Sequence, residues 1–280
     1  MNMMRRLITA ALLLTMLSGC QMSDSRTDEG RYVLEQAVKA RSHSSRVQFL
    51  VIHYTVGSFP QALQVLTEDE VSAHYLIPAV PPLYHSKPMA WQLVPESQSA
   101  WHAGVSHWRG YSHLNQVSIG IELENPGQRD TASGAEWTPY PASQIALVAD
   151  LARDIIRRYA IAPPNVVAHS DIAPQRKTDP GPLFPWQALA EQGIGAWPDP
   201  ERVAFYLQGR APHAAVDRRT LLEKLGRYGY EVTEGMSARQ QQRVIAAFQM
   251  HFRPQRADGQ PDAETDAMVD ALLEKYGASR

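Results

Sequence analysis

The feature that most constrains this chain is the segment from Val166 to Pro182, which reads V-V-A-H-S-D-I-A-P-Q-R-K-T-D-P-G-P. Its apolar start predicts a short buried strand, and its Pro-rich remainder predicts a loop that is neither helix nor central strand. His169 ends the apolar run, so a loop that turns back from the sheet edge can bring Asp179 beside it. If the loop is extended, Lys177 and Asp179 project from the same side. An imidazole, a carboxylate and a nearby ammonium are components of a hydrolytic metal site.

Length and charge limit the possible classes of protein. The 280 residues are enough for a sizeable core, and they favour two domains, since domains commonly contain about 100–200 residues. The 27 basic and 29 acidic side chains nearly balance and form no basic stripe, which argues against nucleic acid as a partner. A single cysteine excludes an intrachain disulfide, so the fold must be stabilised by its core.

The N-terminal residues have the pattern of an export signal. Arg5 and Arg6 precede the short apolar run from Leu7 to Leu17, which is shorter than the roughly 20 residues of a membrane span. The sequence L-S-G-C ending at Cys20 resembles the lipobox of bacterial lipoproteins, in which the cysteine is acylated. We therefore predict a lipoprotein signal peptide at residues 1–19 and a lipidated tether at residues 20–40. An ordinary signal peptide and a buried N-terminal helix are the alternatives. Gln21 after the cysteine implies, by the same resemblance, an outer-membrane lipoprotein that faces the periplasm.

Two histidines occupy equivalent places at the ends of apolar runs. Residues 48–54 read Q-F-L-V-I-H-Y, which predicts a strand covered on both faces with His53 at its far end. His169 has the same position after its own apolar run. Because strand ends meet at one edge of an α/β sheet, the two imidazoles can converge there.

A carboxylate lies within a third predicted strand. Residues 117–123 alternate, with four apolar side chains on one face and Ser118, Gly120 and Glu122 on the other. A mid-strand carboxylate that follows two small residues is poorly explained by packing, so we predict a catalytic role for Glu122. The alternatives are an exposed salt-bridge partner on an edge strand, or Glu124 on the same face as the catalytic group.

Two further histidines are predicted to line a groove or to support the structure. His74 lies in a predicted strand at residues 73–77, and His102 lies in an A-W-H-A-G stretch. Zinc hydrolases usually use three protein ligands and keep one position for water, so a fourth histidine ligand would close the site. We therefore assign His74 and His102 to substrate binding and not to metal binding. The clearest helix is predicted at residues 142–160, as scaffold.

Five blocks of sequence together carry a family resemblance. In chain order they are V-I-H-Y-T, S-A-H-Y-L-I, A-W-H-A-G, S-I-G-I-E-L-E-N and A-H-S-D-I-A-P…R-K-T-D-P-G-P. They resemble the zinc N-acetylmuramoyl-L-alanine amidases, relatives of the phage T7 lysozyme-type amidases and of the peptidoglycan recognition proteins. The resemblance covers roughly residues 47–190 and implies an α/β fold with a mixed β-sheet flanked by helices. It places a zinc amidase domain at residues 41–207.

The resemblance also implies a role for each candidate residue. His53, His169 and Asp179 match the ligands of one Zn²⁺ per chain, Glu122 matches the catalytic glutamate, and Lys177 matches the lysine beside the metal. The substrate would be the amide between N-acetylmuramic acid, or its anhydro form, and L-alanine in peptidoglycan and muropeptides. Glu122 would take a proton from water and return it to the leaving nitrogen, and Lys177 would balance the oxyanion charge.

The C-terminal part is predicted to be helical. After a Gly- and Pro-rich junction at residues 193–212, periodic apolar residues predict helices at about 217–226, 237–252 and 263–276. The pattern I-A-A-F-Q…D-G-Q-P-D-A-E-T resembles a small three-helix peptidoglycan-binding domain, which we place at residues 208–280. Asp262 stands where that family commonly has a second glycine, and both wall binding and simple bracing of the amidase domain remain open.

Two other functions are compatible with these residues. One is a non-catalytic, tethered peptidoglycan-recognition module, and the other is a zinc peptidase that cuts within the stem peptide. All three candidate metal ligands are present, which favours an enzyme, whereas the metal chemistry alone does not separate an amidase from a peptidase. A monomer is expected.

Overall fold

The computed structural model describes residues 25–131 and 134–277. The predicted signal peptide and the candidate acylation site Cys20 lie outside the described residues. Residues 25–44 belong to a separate unit, whose described part forms an exposed antiparallel hairpin of β1 (Arg26–Asp28) and β2 (Val33–Glu35). Within the described ranges, none of the helices combines the length and hydrophobicity that a bilayer crossing requires.

The described residues from 45 onward contain eleven strands and eight α-helices. The strands are β3 (Phe49–Thr55), β4 (Tyr75–Ile77), β5 (Leu83–Tyr84), β6 (Lys87–Pro88), β7 (Trp91–Gln92), β8 (His107–Trp108), β9 (Tyr111–Ser112), β10 (Ser118–Glu124), β11 (Gln128–Thr131), β12 (Gly134–Trp137) and β13 (Val166–Ala168). The helices are α1 (Phe59–Thr67), α2 (Ala142–Tyr159), α3 (His169–Ile172), α4 (Trp186–Ala190), α5 (Pro200–Leu207), α6 (Arg218–Tyr228), α7 (Ala238–Phe252) and α8 (Ala263–Tyr276).

A five-stranded mixed sheet positions the candidate site. Its order is β13-β3-β10-β4-β7, with the first four strands parallel and β7 antiparallel to β4. The two central strands are almost entirely buried, as expected for apolar segments covered on both faces. In the β3–β10 register, His53 is the direct partner of Glu122. The predicted α/β fold with a mixed sheet and flanking helices is therefore confirmed.

The C-terminal helices share a hydrophobic core with the sheet. Helices α6, α7 and α8 lie within two residues of their predicted bounds. Their buried aromatic side chains join a cluster that also contains Phe49 of β3 and Trp108 of β8. The Trp108 ring meets that of Tyr230 edge to face at 4.8 Å between centroids. The described residues from 45 onward form one compact unit, and a domain boundary at residue 208 stays a prediction.

The segment after β13 differs from its prediction. It was expected to be a loop, but its first four residues form the one-turn helix α3. The Asp171 carboxylate explains the turn, because its Oδ2 accepts a 2.8 Å hydrogen bond from the Ala168 N–H at the helix start. Pro174 then disfavours helical backbone at Ala173, where the helix ends. The prediction of an uninterrupted loop was wrong for these residues.

Candidate active site

Three buried side chains meet where β3 and β13 end. His53 comes from β3, His169 is the first residue of α3, and Asp179 comes from the loop that follows. His53 Nδ1 lies 2.9 Å from His169 Nδ1 and 3.3 Å from Asp179 Oδ2. His169 Nδ1 lies 3.1 Å from the same carboxylate oxygen. The structure thus brings the three predicted metal ligands together.

Two hydrogen bonds hold the returning loop in place. The Ser170 N–H donates to the Asp179 carbonyl oxygen at 2.9 Å, which ties the loop to the first turn of α3. One residue later, the Pro180 carbonyl accepts a 2.8 Å hydrogen bond from the hydroxyl of Tyr140. These bonds explain how a loop brings its carboxylate back to the histidine at its start.

The donor set suits a zinc ion. In a tetrahedral site with bonds of roughly 2.0–2.1 Å, neighbouring ligand atoms are about 3.3 Å apart, close to the three distances found here. Burial, followed by the neighbouring His169, lowers the pKa of His53 to about 4, so this imidazole is neutral, as a metal ligand must be. Burial opposes ionisation of Asp179, but His169 and His53 outweigh it and hold the pKa of that carboxyl well below its usual range. Two imidazoles and one carboxylate also match the preference of zinc for nitrogen and oxygen donors.

Glu122 lies beside the three donor atoms. The residue is 9 % exposed, and its Oε1 is 4.0 Å from His53 Nδ1. The hydroxyl of Thr55 donates a 2.7 Å hydrogen bond to Oε2 and so fixes the carboxylate orientation. Burial, followed by the negative charge of Asp179, raises the pKa of Glu122 to about 8. Such a carboxylate takes up a proton readily, which is the property that a general base needs.

Lys177 and Glu124 have different environments. Lys177 is half-buried and lines the same cleft as Glu122. Its positive charge lowers the pKa of both Glu122 and His53, and within the described ranges its ammonium makes no ion pair. Glu124 is engaged elsewhere, because its two oxygens accept 2.8 Å hydrogen bonds from the backbone N–H groups of Phe59 and Ala79. The geometry therefore favours Glu122 as the catalytic carboxylate.

The two remaining histidines lie at different depths. His102 borders the cleft, and its Nδ1 is 2.9 Å from His53 Nε2. His74 is fully buried behind it, with Nδ1 accepting from the Gly120 N–H at 3.0 Å and Nε2 contacting the Gln98 carbonyl at 3.2 Å. The structure therefore brings His102 to the site but places His74 outside the cleft lining.

The site opens into a cleft of about 380 Å³. Its floor is polar and includes Glu122, Lys177 and Asp179, whereas its rim carries apolar side chains such as Val65 and Trp101. Trp101 is 58 % exposed. A polar floor with an apolar rim suits an amphipathic ligand such as a sugar-linked peptide.

Comparison with known proteins identifies the family. Residues 43–182 match the Amidase_2 family, described as N-acetylmuramoyl-L-alanine amidase. The chain is 56 % identical over 271 residues to N-acetylmuramoyl-L-alanine amidase AmiD of Escherichia coli strain K12, and the alignment covers 97 % of each protein. The chain belongs to the N-acetylmuramoyl-L-alanine amidase family. The predicted family and the predicted class of enzyme are thereby confirmed.

Two solved structures resemble this amidase over most of its length. One is the complex of E. coli AmiD with the substrate anhydro-N-acetylmuramic acid-L-Ala-D-γ-Glu-L-Lys, with a TM-score of 0.88, 57 % identity and coverage of 90 % of this chain and 98 % of that one. The other is Pseudomonas aeruginosa AmpDh3 in complex with anhydromuramic pentapeptide, with a TM-score of 0.78, 40 % identity and coverage of 89 % and 98 %. Both similarities include the C-terminal helical part.

Several contributing residues of the amidase were not predicted. Thr55 orients Glu122, and Tyr140 holds the loop that carries Asp179. Thr55 belongs to the V-I-H-Y-T block, so the sequence already shows that it lies two residues after His53. Its partnership with Glu122 depends on the strand register, which hydrophobic alternation alone does not fix.

Proposed function

We propose that the protein hydrolyses the amide bond between the lactyl group of N-acetylmuramic acid and L-alanine, with one zinc ion held by His53, His169 and Asp179. The observation that carries the proposal is the triangle of three donor atoms with edges of 2.9, 3.1 and 3.3 Å beside a buried carboxylate. The bound zinc ion would act as a Lewis acid that polarises the substrate carbonyl and lowers the pKa of a coordinated water from 15.7 to about 7.

Glu122 supplies the proton transfers in this scheme. Its Oε2 is held by Thr55, so Oε1 remains available on the side of the donor triangle. The carboxylate takes a proton from the attacking water and returns it to the nitrogen of L-alanine as the C–N bond breaks. The raised pKa of Glu122, about 8, lies closer to neutral pH than that of an ordinary carboxyl group, and a pKa near the working pH lets one group accept a proton and then donate it.

Lys177 stabilises the developing negative charge. Addition of water to the amide carbonyl places a negative charge on the carbonyl oxygen, and the ammonium of Lys177 lines the cleft where that charge forms. A fixed positive group at this position lowers the barrier more than it strengthens ground-state binding. Products are a free stem peptide that begins with L-alanine and the lactyl carboxylate of the sugar.

The substrate class follows from the site and from the relatives. Both similar structures contain anhydro-muramic acid peptides. The open cleft and its apolar rim suit such fragments as well as the peptidoglycan from which they derive. We therefore include anhydro-muropeptides and intact peptidoglycan as substrates, with cell-wall turnover as the resulting process.

Mass spectrometry of digested peptidoglycan tests the reaction. The expected products are intact stem peptides that start with L-alanine. Cuts between stem-peptide residues would instead identify a zinc peptidase, and binding without products would identify a recognition module. A digest with His169→Ala serves as the control, because that variant lacks a metal ligand while it keeps the rest of the cleft.

The cellular location is a second part of the proposal. We infer that the chain is exported, that Cys20 is acylated, and that the protein faces the periplasm from the outer membrane. The lipobox that ends at Cys20 and Gln21 after it support this location, as does a substrate found in the cell wall. Labelled palmitate should enter the wild-type protein and not Cys20→Ala, and membrane fractionation should place the acylated form in the outer membrane. Incorporation of label into Cys20→Ala would disprove acylation at this site.

A further inference from the structure

A hydrogen-bonded chain leads from the donor triangle into the protein interior. His53 Nε2 lies 2.9 Å from His102 Nδ1, and His102 Nε2 lies 3.2 Å from the hydroxyl oxygen of Ser118. That hydroxyl lies 2.6 Å from the carbonyl oxygen of Leu114. All four of these residues are buried, so their hydrogen bonds are made largely within the protein.

The direction of every hydrogen bond follows from the carbonyl at the end. The Leu114 oxygen can only accept, so the single hydroxyl proton of Ser118 is used there. Ser118 Oγ must then accept from His102 Nε2, which places the proton of that ring on Nε2. His102 Nδ1 is therefore unprotonated and accepts a hydrogen bond from the N–H of His53 Nε2. As a result, the lone pair of His53 Nδ1 points into the donor triangle.

If these hydrogen bonds ran in the opposite direction, a proton on His53 Nδ1 would prevent that nitrogen from binding a metal ion. With a proton on His53 Nδ1, the ring would donate to Asp179 Oδ2, 3.3 Å away. His102 would then donate from Nδ1 to His53, and Ser118 would donate to His102 instead of Leu114. The two arrangements of hydrogen bonds thus differ in whether the Ser118 hydroxyl donates to the Leu114 carbonyl oxygen or to His102 Nε2.

The other histidine ligand is oriented without such a chain. His169 Nε2 lies 3.3 Å from the Ala103 carbonyl, which can only accept, and 3.4 Å from Nη2 of Arg176, whose two N–H groups are taken by the Ala103 and Val105 oxygens. This arrangement favours the ring proton on Nε2 and leaves Nδ1 unprotonated. Arg176 holds that carbonyl, because its Nη2 donates to the oxygens of Ala103 and Val105. The backbone therefore orients His169, whereas His53 depends on two side chains.

The packing around His102 supports a specific role for this arrangement. The imidazole lies directly on β10 at Gly120, where a Cβ atom would come within 2.5 Å of the ring. Only glycine permits this approach, which brings His102 within reach of Ser118 two residues earlier on the same face of β10.

We propose that Ser118 is a positioning residue which, through His102, fixes the tautomer of His53 that can bind a metal ion. This inference rests on the proposed zinc site. Without the hydroxyl, the arrangement with the proton on His53 Nε2 would leave the N–H of His102 Nε2 buried and unpaired. The arrangement with the proton on His53 Nδ1 would leave only the unprotonated Nε2 of His102 without a donor. Because a buried unpaired donor is the rarer and costlier case, loss of the hydroxyl favours the tautomer with the proton on His53 Nδ1.

The test compares Ser118→Thr with Ser118→Val in the full chain. The two new side chains have the same shape and differ only in the hydroxyl, so any cost of the added methyl group is common to both. Zinc affinity is measured by chelator competition. We expect Ser118→Val to bind zinc roughly 10–100-fold more weakly than Ser118→Thr, the usual effect of losing an outer-shell partner. Equal affinities in the two variants would overturn the proposal.

NMR spectra of the metal-free protein provide a second test of the proposed tautomers. Long-range ¹H–¹⁵N spectra of histidine-labelled protein report which ring nitrogen carries the proton. The wild type should show the proton on Nε2 for both His53 and His102, and Ser118→Ala should shift both to Nδ1. A wild-type His53 with its proton on Nδ1 would refute the proposal even if no variant folds. Absence of zinc binding by the wild type would instead refute the proposed function, and the spectra would still decide the role of Ser118.

Discussion

The hydroxyl of Tyr230 donates a 2.6 Å hydrogen bond to Oδ1 of Asp171, two residues after His169. The other oxygen of this carboxylate accepts from the Ala168 N–H and lies 2.6 Å from Nδ1 of His251. Tyr230 and His251 both belong to the C-terminal helical part, and Asp171 is completely buried. Side chains from the C-terminal helical part therefore hold the turn that carries a candidate metal ligand about 60–80 residues earlier in the chain.

Removing the Tyr230 hydroxyl should destabilise the protein. Tyr230→Phe takes a hydrogen bond from a buried carboxylate, and we expect the free energy of unfolding to fall by about 1.5–3 kcal/mol. Denaturant unfolding measures the change. Tyr228→Phe is the matched control, because the Tyr228 hydroxyl is buried without a hydrogen-bond partner among the described residues; it should have little effect. Equal losses in both variants would show that the bond to Asp171 contributes nothing.

Replacing the proposed catalytic carboxylate, Glu122, should separate turnover from metal binding. Glu122→Gln keeps the shape of the side chain but cannot accept a proton, so we expect kcat to fall by roughly 10²–10⁴. Zinc content should stay at one ion per chain. Glu124→Gln should lose stability and keep its turnover, since Glu124 serves two backbone N–H groups. The reverse pattern would transfer the role of general base to Glu124.

Thr55 should influence catalysis through Glu122. Thr55→Val preserves the side-chain shape and removes the donor to Oε2. A hydrogen bond to a charged group is worth about 1.5–3 kcal/mol, so kcat/KM should fall by roughly 10–100-fold. Thr55→Ser retains the hydroxyl and should recover most of the activity. Unchanged kinetics in Thr55→Val would mean that the hydrogen bond does not orient the base.

Lys177 should act on turnover and not on zinc content. Lys177→Met removes the charge and keeps the length of the side chain, and we expect kcat to fall roughly 10²-fold, as for loss of an oxyanion-stabilising group. Lys177→Arg keeps a positive charge and should lose less. Metal analysis accompanies both measurements. Loss of zinc from Lys177→Met would make the lysine part of the metal-binding structure.

Chelation should lower both activity and thermal stability. An ion that binds only the folded chain stabilises it by mass action, so its removal should lower Tm and abolish hydrolysis. Added Zn²⁺ should restore both properties, whereas Mg²⁺ should not, because Mg²⁺ prefers oxygen ligands. His169→Ala should show no zinc-dependent change in Tm. Hydrolysis that persists after complete removal of the metal would contradict the proposed mechanism.

Hydrophobic patterning predicted the main strands and helices of this protein. Residues 48–54, 117–123 and 142–160 carry long and regular apolar patterns, and the structure places β3, β10 and α2 there. The short hairpins, such as β8–β9, have two residues in each strand, too few for a periodic signal. Helix α3 was missed because four residues are too few for a periodic apolar pattern, and because the Asp171 carboxylate that caps its start is itself held by Tyr230 and His251 from a distant part of the chain.

The sequence predicted which side chains converge at the candidate site, but not the hydrogen bonds that orient them. His53 and His169 converge as the strand ends predicted, and Asp179 joins them on the loop that turns back. The bond between Thr55 and Glu122 and the chain from His53 to Ser118 depend on strand register and ring orientation. Sequence spacing does not contain that information, since one face of a strand can meet its neighbour in several registers.

The interior shared by Phe49, Trp108, Tyr230 and Phe248 has a consequence for engineering this enzyme. Helices α6, α7 and α8 share this interior with the sheet, so excising them would expose the apolar underside of the sheet to water. Directed-evolution libraries aimed at new cell-wall specificities should therefore include substitutions in α6, α7 and α8, far along the chain from any catalytic group.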